Sequence, residues 1–393
     1  MYLYYFLAAI ACWFGIQSLM SGFRYAAYVR RETGRTIPDF QPFVSVIVPG
    51  RGLEPGLSEN LKTLLTQEYG AYEVLFVFDR ADDPALEVVE QLTNTSRVPA
   101  KIVIAGAATD CGQKVHNLRV AVTKIDAQSE VLVFVDTDAR PGSQWLKKLV
   151  APLSDEKLGA SSGYRWFVPV NGGIASRLRS VWNASIASAL GSDTSKNFCW
   201  GGSTAIRRST FEQLQIRERW RGTVSDDFAI TRILREANLP IHFTPNCLVP
   251  SFGDCDFKEL LEFTTRQITI TRVYASHLWL PLLLGSALFT LAFFGGLILI
   301  CVYPRSSAVY VFLLIIFALG ATKSFIRYRA VSLALPQHAS RRDMLAHILL
   351  WPFASLLYLY NAVAAGFSRR IKWRGITYEL KSPNEAVIIS REP

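Results

Sequence analysis

The chain of 393 residues carries 42 Lys and Arg against 32 Asp and Glu, a formal charge of +10. Half of it is hydrophobic and 19% charged, with a mean hydropathy of +0.21, so apolar and polar stretches are segregated along the chain. The basic residues crowd beside apolar segments with no nucleic-acid-binding motif, which excludes nucleic acid in favour of anionic lipid; six cysteines without a CxxC pair indicate neither a disulfide framework nor a zinc site.

Residues 1–20 are uncharged and of the ~20-residue length that crosses a bilayer, giving a transmembrane anchor over 1–22. Arg24, Arg30, Arg31 and Arg35 follow the apolar run rather than precede it. That order excludes a cleaved signal peptide and puts the downstream side in the cytoplasm.

Residues 43–255 alternate short β-branched runs with helix-length polar stretches: Val44-Ser45-Val46-Ile47-Val48, Val74-Leu75-Phe76-Val77-Phe78, Lys101-Ile102-Val103-Ile104 and Val131-Leu132-Val133-Phe134-Val135. The spacing predicts an α/β domain with a mainly parallel sheet, helices on both faces and ligands beyond the carboxyl ends of the strands. Residues 256–278 are expected as interfacial helices and 279–322 as a transmembrane hairpin turning at Tyr303-Pro304-Arg305. A basic cytoplasmic loop follows over 323–344. The apolar stretch 345–367 contains Trp351-Pro352 and precedes Arg369, Arg370, Lys372 and Arg374. A full crossing would place this basic tail, 368–393, outside against the positive-inside rule. The stretch is therefore read as re-entrant or interfacial, bent at Pro352, with a true span as the alternative.

The chemistry-bearing residues fall at strand ends. Asp136-Thr137-Asp138 closes an uncharged strand, and two carboxylates at that spacing offer hard oxygen ligands to Mn2+ or Mg2+ bound with a diphosphate. Asp79, with Asp82 and Asp83, ends the strand before it, where a nucleotide's base or ribose could be held; helix capping is assigned to at least one of the Asp82-Asp83 pair. Asp226-Asp227 opens a helical pattern, and a carboxylate there suits a general base, although a capping pair is the plainer alternative. Gly201 and Gly202 in Cys199-Trp200-Gly201-Gly202-Ser203 allow a backbone to approach a sugar or phosphate closely. His116, His242, His277, His338 and His347 show no metal-ligand spacing.

The order of these parts resembles the family 2 inverting glycosyltransferases of the GT-A fold, most closely the ceramide glucosyltransferases and their bacterial relatives. Carrying the likeness are the amino-terminal span, Val44 to Pro49, Tyr72 to Phe76, Asp82-Asp83-Pro84-Ala85, Lys114 with Asn117-Leu118, Asp136, Gly201-Gly202-Ser203, Asp226-Asp227 and the tail from Trp373 to Leu380. The resemblance implies a GT-A domain with amino- and carboxyl-terminal transmembrane helices, a cytoplasmic catalytic domain, a UDP-sugar donor and a membrane lipid acceptor, ceramide favoured. It further implies that Asp79 or Asp82 and Lys114 belong to the donor site, that Asp136 and Asp138 hold the metal and diphosphate, and that Asp227 is the catalytic base. Two departures stand out: the ceramide enzymes carry a small residue where Asp138 stands, and the membrane-proximal motif that helps hold the donor diphosphate and acceptor, which assigns Arg266, Gln267 and Arg272 to donor binding, has Thr269-Ile270 where Arg-Trp is expected. Arg272 and Tyr274 are the nearby candidates for the missing charge and ring. Competing readings are a polyisoprenyl-phosphate or carotenoid glycosyltransferase, a processive polysaccharide synthase, and a non-catalytic nucleotide-sugar-binding membrane subunit. A transporter is disfavoured by the absence of repeated spans.

Overall fold

A computed structural model describes residues 1–392. It divides into a membrane unit (Met1–Arg31, Pro169–Ala189, Asp254–Ser368) and a catalytic unit (Glu32–Val168, Leu190–Gly253, Arg369–Pro393).

The catalytic unit is built on seven strands: β1 (Val44–Pro49), β2 (Tyr72–Phe78), β3 (Ala100–Ile104), β4 (Val131–Phe134), β5 (Ala160–Val168), β6 (Thr204–Arg207) and β7 (Ile241–Phe252). Their order is β3-β2-β1-β4-β6-β5-β7. All neighbouring pairs are parallel except the two that β6 makes, with β4 and β5. The sheet is thus parallel where four strands were read from the sequence and mixed beyond them. This is the GT-A arrangement that the motifs implied.

Alternation within the apolar runs feeds two cores. Val44, Val46, Val48, Val131 and Val133 pack with Leu61, Val89 and Leu149 on one face; Ile47, Leu132 and Phe134 pack with Leu118, Ile230 and Trp220 on the other. Burial on both faces explains why these strands read as continuous apolar runs. Ser45 is the exception in β1, and its hydroxyl donates to Glu73 at 2.7 Å. Glu73 also accepts from the Asp126 amide at 2.6 Å and pairs with Lys101 at 2.7 Å, so the buried polar pair is satisfied.

Residues 370–391, expected only as a cytoplasmic tail, form a second, antiparallel sheet of β8 (Arg370–Trp373), β9 (Ile376–Ser382) and β10 (Glu385–Arg391).

The membrane unit holds four helices long and apolar enough to cross a bilayer by length and composition: Tyr2–Thr33, Ser276–Val302, Ser307–Ala334 and Arg341–Phe367. The third helix continues through Lys323 and Arg327 to Ala334, well into the stretch read as a basic loop, and Lys323 donates to Ser18 of the first helix at 2.6 Å. The stretch left open between a re-entrant turn and a span is one helix of 27 residues that runs through Pro352. Trp351 packs there against Phe289, Phe293 and Phe317. Helix Phe257–Tyr274 joins them with a capping box at Asp256 and Glu259.

Trp220 is fully buried, 5.6 Å from the Phe134 ring and 5.4 Å from that of Phe211, and its indole nitrogen donates to the Asp226 carbonyl at 3.2 Å. Trp220→Ala is expected to destabilise the catalytic unit by about 3–5 kcal/mol, the usual cost of emptying such a site, read as a lowered calorimetric transition. Trp220→Phe is expected to recover most of that stability.

Candidate active site

Strand β4 delivers Asp136 just beyond its carboxyl end, and helix Gln113–Ala121 delivers Lys114 in its first turn. The Gly112 amide donates to the Thr223 carbonyl at 2.8 Å, which ties the start of that helix to the segment leading into helix Asp226–Glu236. Lys114 therefore reaches both carboxylates, with its Nζ 2.8 Å from Asp136 Oδ1 and 3.2 Å from Asp226 Oδ1. Burial alone would discharge this ammonium, but Asp136, Asp226 and Asp227 outweigh it and hold the Lys114 pKa above its ordinary value.

Arg165 on β5 is the second cation, 3.4 Å from Asp136 Oδ2 and 3.0 Å from Asp138 Oδ2. Its guanidinium lies 5.1 Å over the Trp200 ring and 5.3 Å over that of Phe167, which fixes the plane it presents to the carboxylates. Burial acts to raise the Asp136 carboxyl, but Lys114 and Arg165 prevail and lower it. Asp138 moves the other way: burial and the neighbouring Asp136 charge raise it against Arg165. Asp226 is pushed up to about 6 by burial, reinforced by Asp227 and Asp136 against the pull of Lys114.

Asp227 sits in the first turn of its helix, where its Oδ1 accepts from the Phe228 amide at 2.8 Å and from the Ser225 hydroxyl, while Oδ2 accepts from the Gly201 amide at 3.4 Å. The glycine pair admits no side chain. A β-carbon on Gly201 would lie 2.4 Å from Asp226 Oδ2, and one on Gly202 would lie 2.3 Å from the Trp200 ring and 2.9 Å from Asp136 Oδ2. The loop is pinned at both ends: the Cys199 amide donates to Thr231 at 2.9 Å, and Ser203 accepts from the Trp145 indole at 2.9 Å.

Among the sequence-selected residues, Lys114, Asp136, Asp138, Gly202 and Asp227 are joined by this one network. Asp79 ends β2 with its side chain 7% exposed and pairs with Arg51 at 3.6 Å. Asp82 points to solvent, 80% exposed, 3.2 Å from Arg80. Asp83 accepts from the Ala85 amide at 2.9 Å and from the Gly52 amide at 2.9 and 3.1 Å, while helix Leu86–Thr95 starts at Ala85 with no side-chain cap, so the capping expected of the Asp82-Asp83 pair is not made. Arg266, Gln267 and Arg272 lie on helix Phe257–Tyr274 of the membrane unit. There Arg266 covers the Phe263 ring, and Arg272 donates to the Ala365 carbonyl and covers Trp279.

Sequence reasoning missed Arg165 and Trp200. Arg165 interrupts a β-strand with no motif around it, whereas Trp200, immediately before two glycines, was a readable sign of a shaped loop. One group of three metal-capable side chains occurs among the described residues, Asp110, Cys111 and His116, with ligand atoms within 4.8 Å of one another. It does not suit a cation, since burial pushes the Cys111 thiol up to about 11 and disfavours the thiolate that a metal needs.

Comparisons with known proteins bear on the family of the chain. Ceramide glucosyltransferase 3 of Caenorhabditis elegans is 37% identical over 81 residues, 20% of this chain and 18% of that protein. Glycosyltransferase AglE of Haloferax volcanii is 29% identical over 137 residues, 34% of this chain and 43% of the relative. The chain thus spans less than a fifth of the first relative and under half of the second. A mannosyltransferase of Pyrobaculum calidifontis, solved in complex with GDP-Man and Mn2+, superposes with a TM-score of 0.49 at 18% identity, over 92% of this chain and 99% of that one. The model of glycosyl transferase family 21 matches residues 3–386, nearly the whole chain. The family number is 21 where the motifs suggested 2, and the ceramide glucosyltransferase likeness returns among the relatives: the chain belongs to glycosyl transferase family 21.

Proposed function

We propose that this family 21 glycosyltransferase moves a hexose, glucose in the favoured reading, from a UDP-sugar to the hydroxyl of a ceramide-type membrane lipid, with inversion and on the cytoplasmic face. The observation that carries the reading is the single lysine bridging Asp136 and Asp226, with Asp227 held next to them by the Gly201 amide.

Asp227 takes the acceptor proton, and the freed oxygen attacks the anomeric carbon from the side opposite the diphosphate. The bond from that carbon to the diphosphate oxygen breaks, and the electron pair leaves with UDP. Lys114 stands at the carboxylates where the departing charge collects, and Arg165 holds the two residues of the Asp136-Thr137-Asp138 turn in place. Asp136 and Asp138 present hard oxygens at partly exposed positions, 22% and 33%, a donor set that fits Mn2+ or Mg2+ completed by a diphosphate. Such an ion would supply Lewis-acid stabilisation of the leaving group. Asp79, at the end of β2, holds the nucleoside end of the donor in this reading.

A second reading keeps this chemistry and replaces ceramide by a polyisoprenyl phosphate or carotenoid. It is favoured by Thr269-Ile270 standing where the ceramide enzymes have Arg-Trp.

UDP release by the full chain in lipid nanodiscs, with a panel of UDP-sugars and lipid acceptors, tests both. Release that needs ceramide supports the first reading; release only with another lipid supports the second. Asp227→Asn is expected to lower turnover by about 10²–10⁴-fold, the range for loss of a general base, while donor binding measured by calorimetry stays within twofold. Loss of binding in parallel with turnover would take the base role from Asp227. Asp138→Ala is expected to reduce activity and to shift the metal titration to higher concentration; an unchanged titration curve would remove Asp138 from the metal site.

A further inference from the structure

The carboxyl-terminal residues are part of the catalytic core. Ile371, Ile376, Tyr378 and Leu380 are buried, and the sheet β8–β10 belongs to the catalytic unit. Two of its polar anchors bear on the site. On one side the Tyr378 hydroxyl accepts from the Gln113 amide at 3.1 Å, and Arg391 donates to the Gln113 side chain at 3.0 Å. Gln113 adjoins Lys114 in the same helical turn. On the other side Arg374, at the turn between β8 and β9, pairs with Glu54.

That second place lies past the carboxyl ends of β1 and β2, where a ligand of an α/β sheet is held. Glu54 is in the loop that follows β1, as is Arg51, which pairs with Asp79 at the end of β2. Burial, with the charge of nearby Arg51 added to it, holds the Arg374 guanidinium below its usual value. Asp79 Oδ1 and Arg51 Nη1 are both buried with no hydrogen-bond partner. A buried acceptor beside a buried donor, both unsatisfied, is costly to the folded chain and complements the edge of a nucleobase.

The turn itself carries strain. Arg374 has φ of 51° and Gly375 φ of 72°, the left-handed pair of a two-residue hairpin. Glycine or asparagine satisfies the first of these positions without the penalty that an arginine side chain pays. An arginine at that position, paired to a loop carboxylate, fits a place set by a ligand site.

We propose that the carboxyl-terminal sheet is the outer wall of the donor's nucleoside pocket, with Arg374 as the positioning residue that holds Glu54 and the Arg51–Asp79 pair in their binding arrangement. The proposal rests on the reading of Asp79 as the nucleoside end of the site. It assigns the tail a role in donor affinity and none in the chemical step.

The test is calorimetric binding of UDP to the full chain in nanodiscs, together with donor KM and kcat, for wild type, Arg374→Ala, Arg374→Lys and Glu54→Gln. Arg374→Ala is expected to weaken UDP binding about tenfold and raise the donor KM in step, with kcat within twofold. Arg374→Lys, which can still pair with Glu54, is expected to recover part of the affinity, and Glu54→Gln to reproduce the loss. Wild-type UDP affinity in folded Arg374→Ala, or a fall in kcat at constant KM, overturns the proposal. Should Arg374→Ala fail to fold, Glu54→Gln decides by the same measure. Failure of the wild-type chain itself to bind any nucleoside diphosphate would instead overturn the donor-site reading, and the wall with it.

Discussion

The bridge from Lys114 to Asp136 and Asp226 is the interaction on which the rest of the catalytic unit depends. Asp136, Asp138, Asp226 and Asp227 converge from two elements, and their mutual repulsion would oppose folding if no cation stood among them. Lys114 answers for the first and third, Arg165 for the first and second, and backbone amides for the fourth. The surrounding architecture follows from placing that ammonium: strand β4 ending just before Asp136, one helix starting at Gln113 and another at Asp226, and a bond between their lead-in segments. Even the glycine pair obeys it, since a β-carbon at Gly201 would lie 2.7 Å from the Lys114 nitrogen.

Much of this was legible in the sequence. The four parallel strands were visible because burial on both faces leaves uninterrupted β-branched runs, and strand-end carboxylates were visible because a parallel sheet directs them to one edge. Residues whose role arises from packing across the sheet were not legible. Arg165 belongs to β5, whose Ala160-Ser161-Ser162-Gly163 start has neither alternation nor an apolar run, so its position opposite Asp136 is a product of the β6–β5–β7 pairing. The tail sheet escaped for a related reason. Its buried residues Ile376, Tyr378 and Leu380 alternate with polar ones over a short stretch after an apolar helix, a signal that basic flanking charge obscured.

In the membrane unit several polar groups find partners on neighbouring helices, as they must where water is scarce. Thr264 and Thr265 both donate to Asn361 Oδ1, at 3.2 and 3.0 Å, and the Trp279 indole donates to the Ala362 carbonyl at 3.0 Å. Tyr358 stacks on Trp182 with centroids 4.9 Å apart while its hydroxyl donates to the Trp182 carbonyl. Arg177 and Asp343 pair at 3.5 Å. These contacts knit helices distant in sequence.

The departure at Thr269-Ile270 acquires a different weight in the light of the site. An arginine against a tryptophan does stand at the carboxylates of this chain, but it is assembled from Arg165 on β5 and Trp200 before the glycine pair. A linear motif search scores such a pair as two unrelated residues, because its spacing exists only in the folded sheet. The charge that faces Asp136 and Asp138 is fixed by stacking on a ring, and that ring is held in turn by the close packing against Gly202 that no larger residue permits.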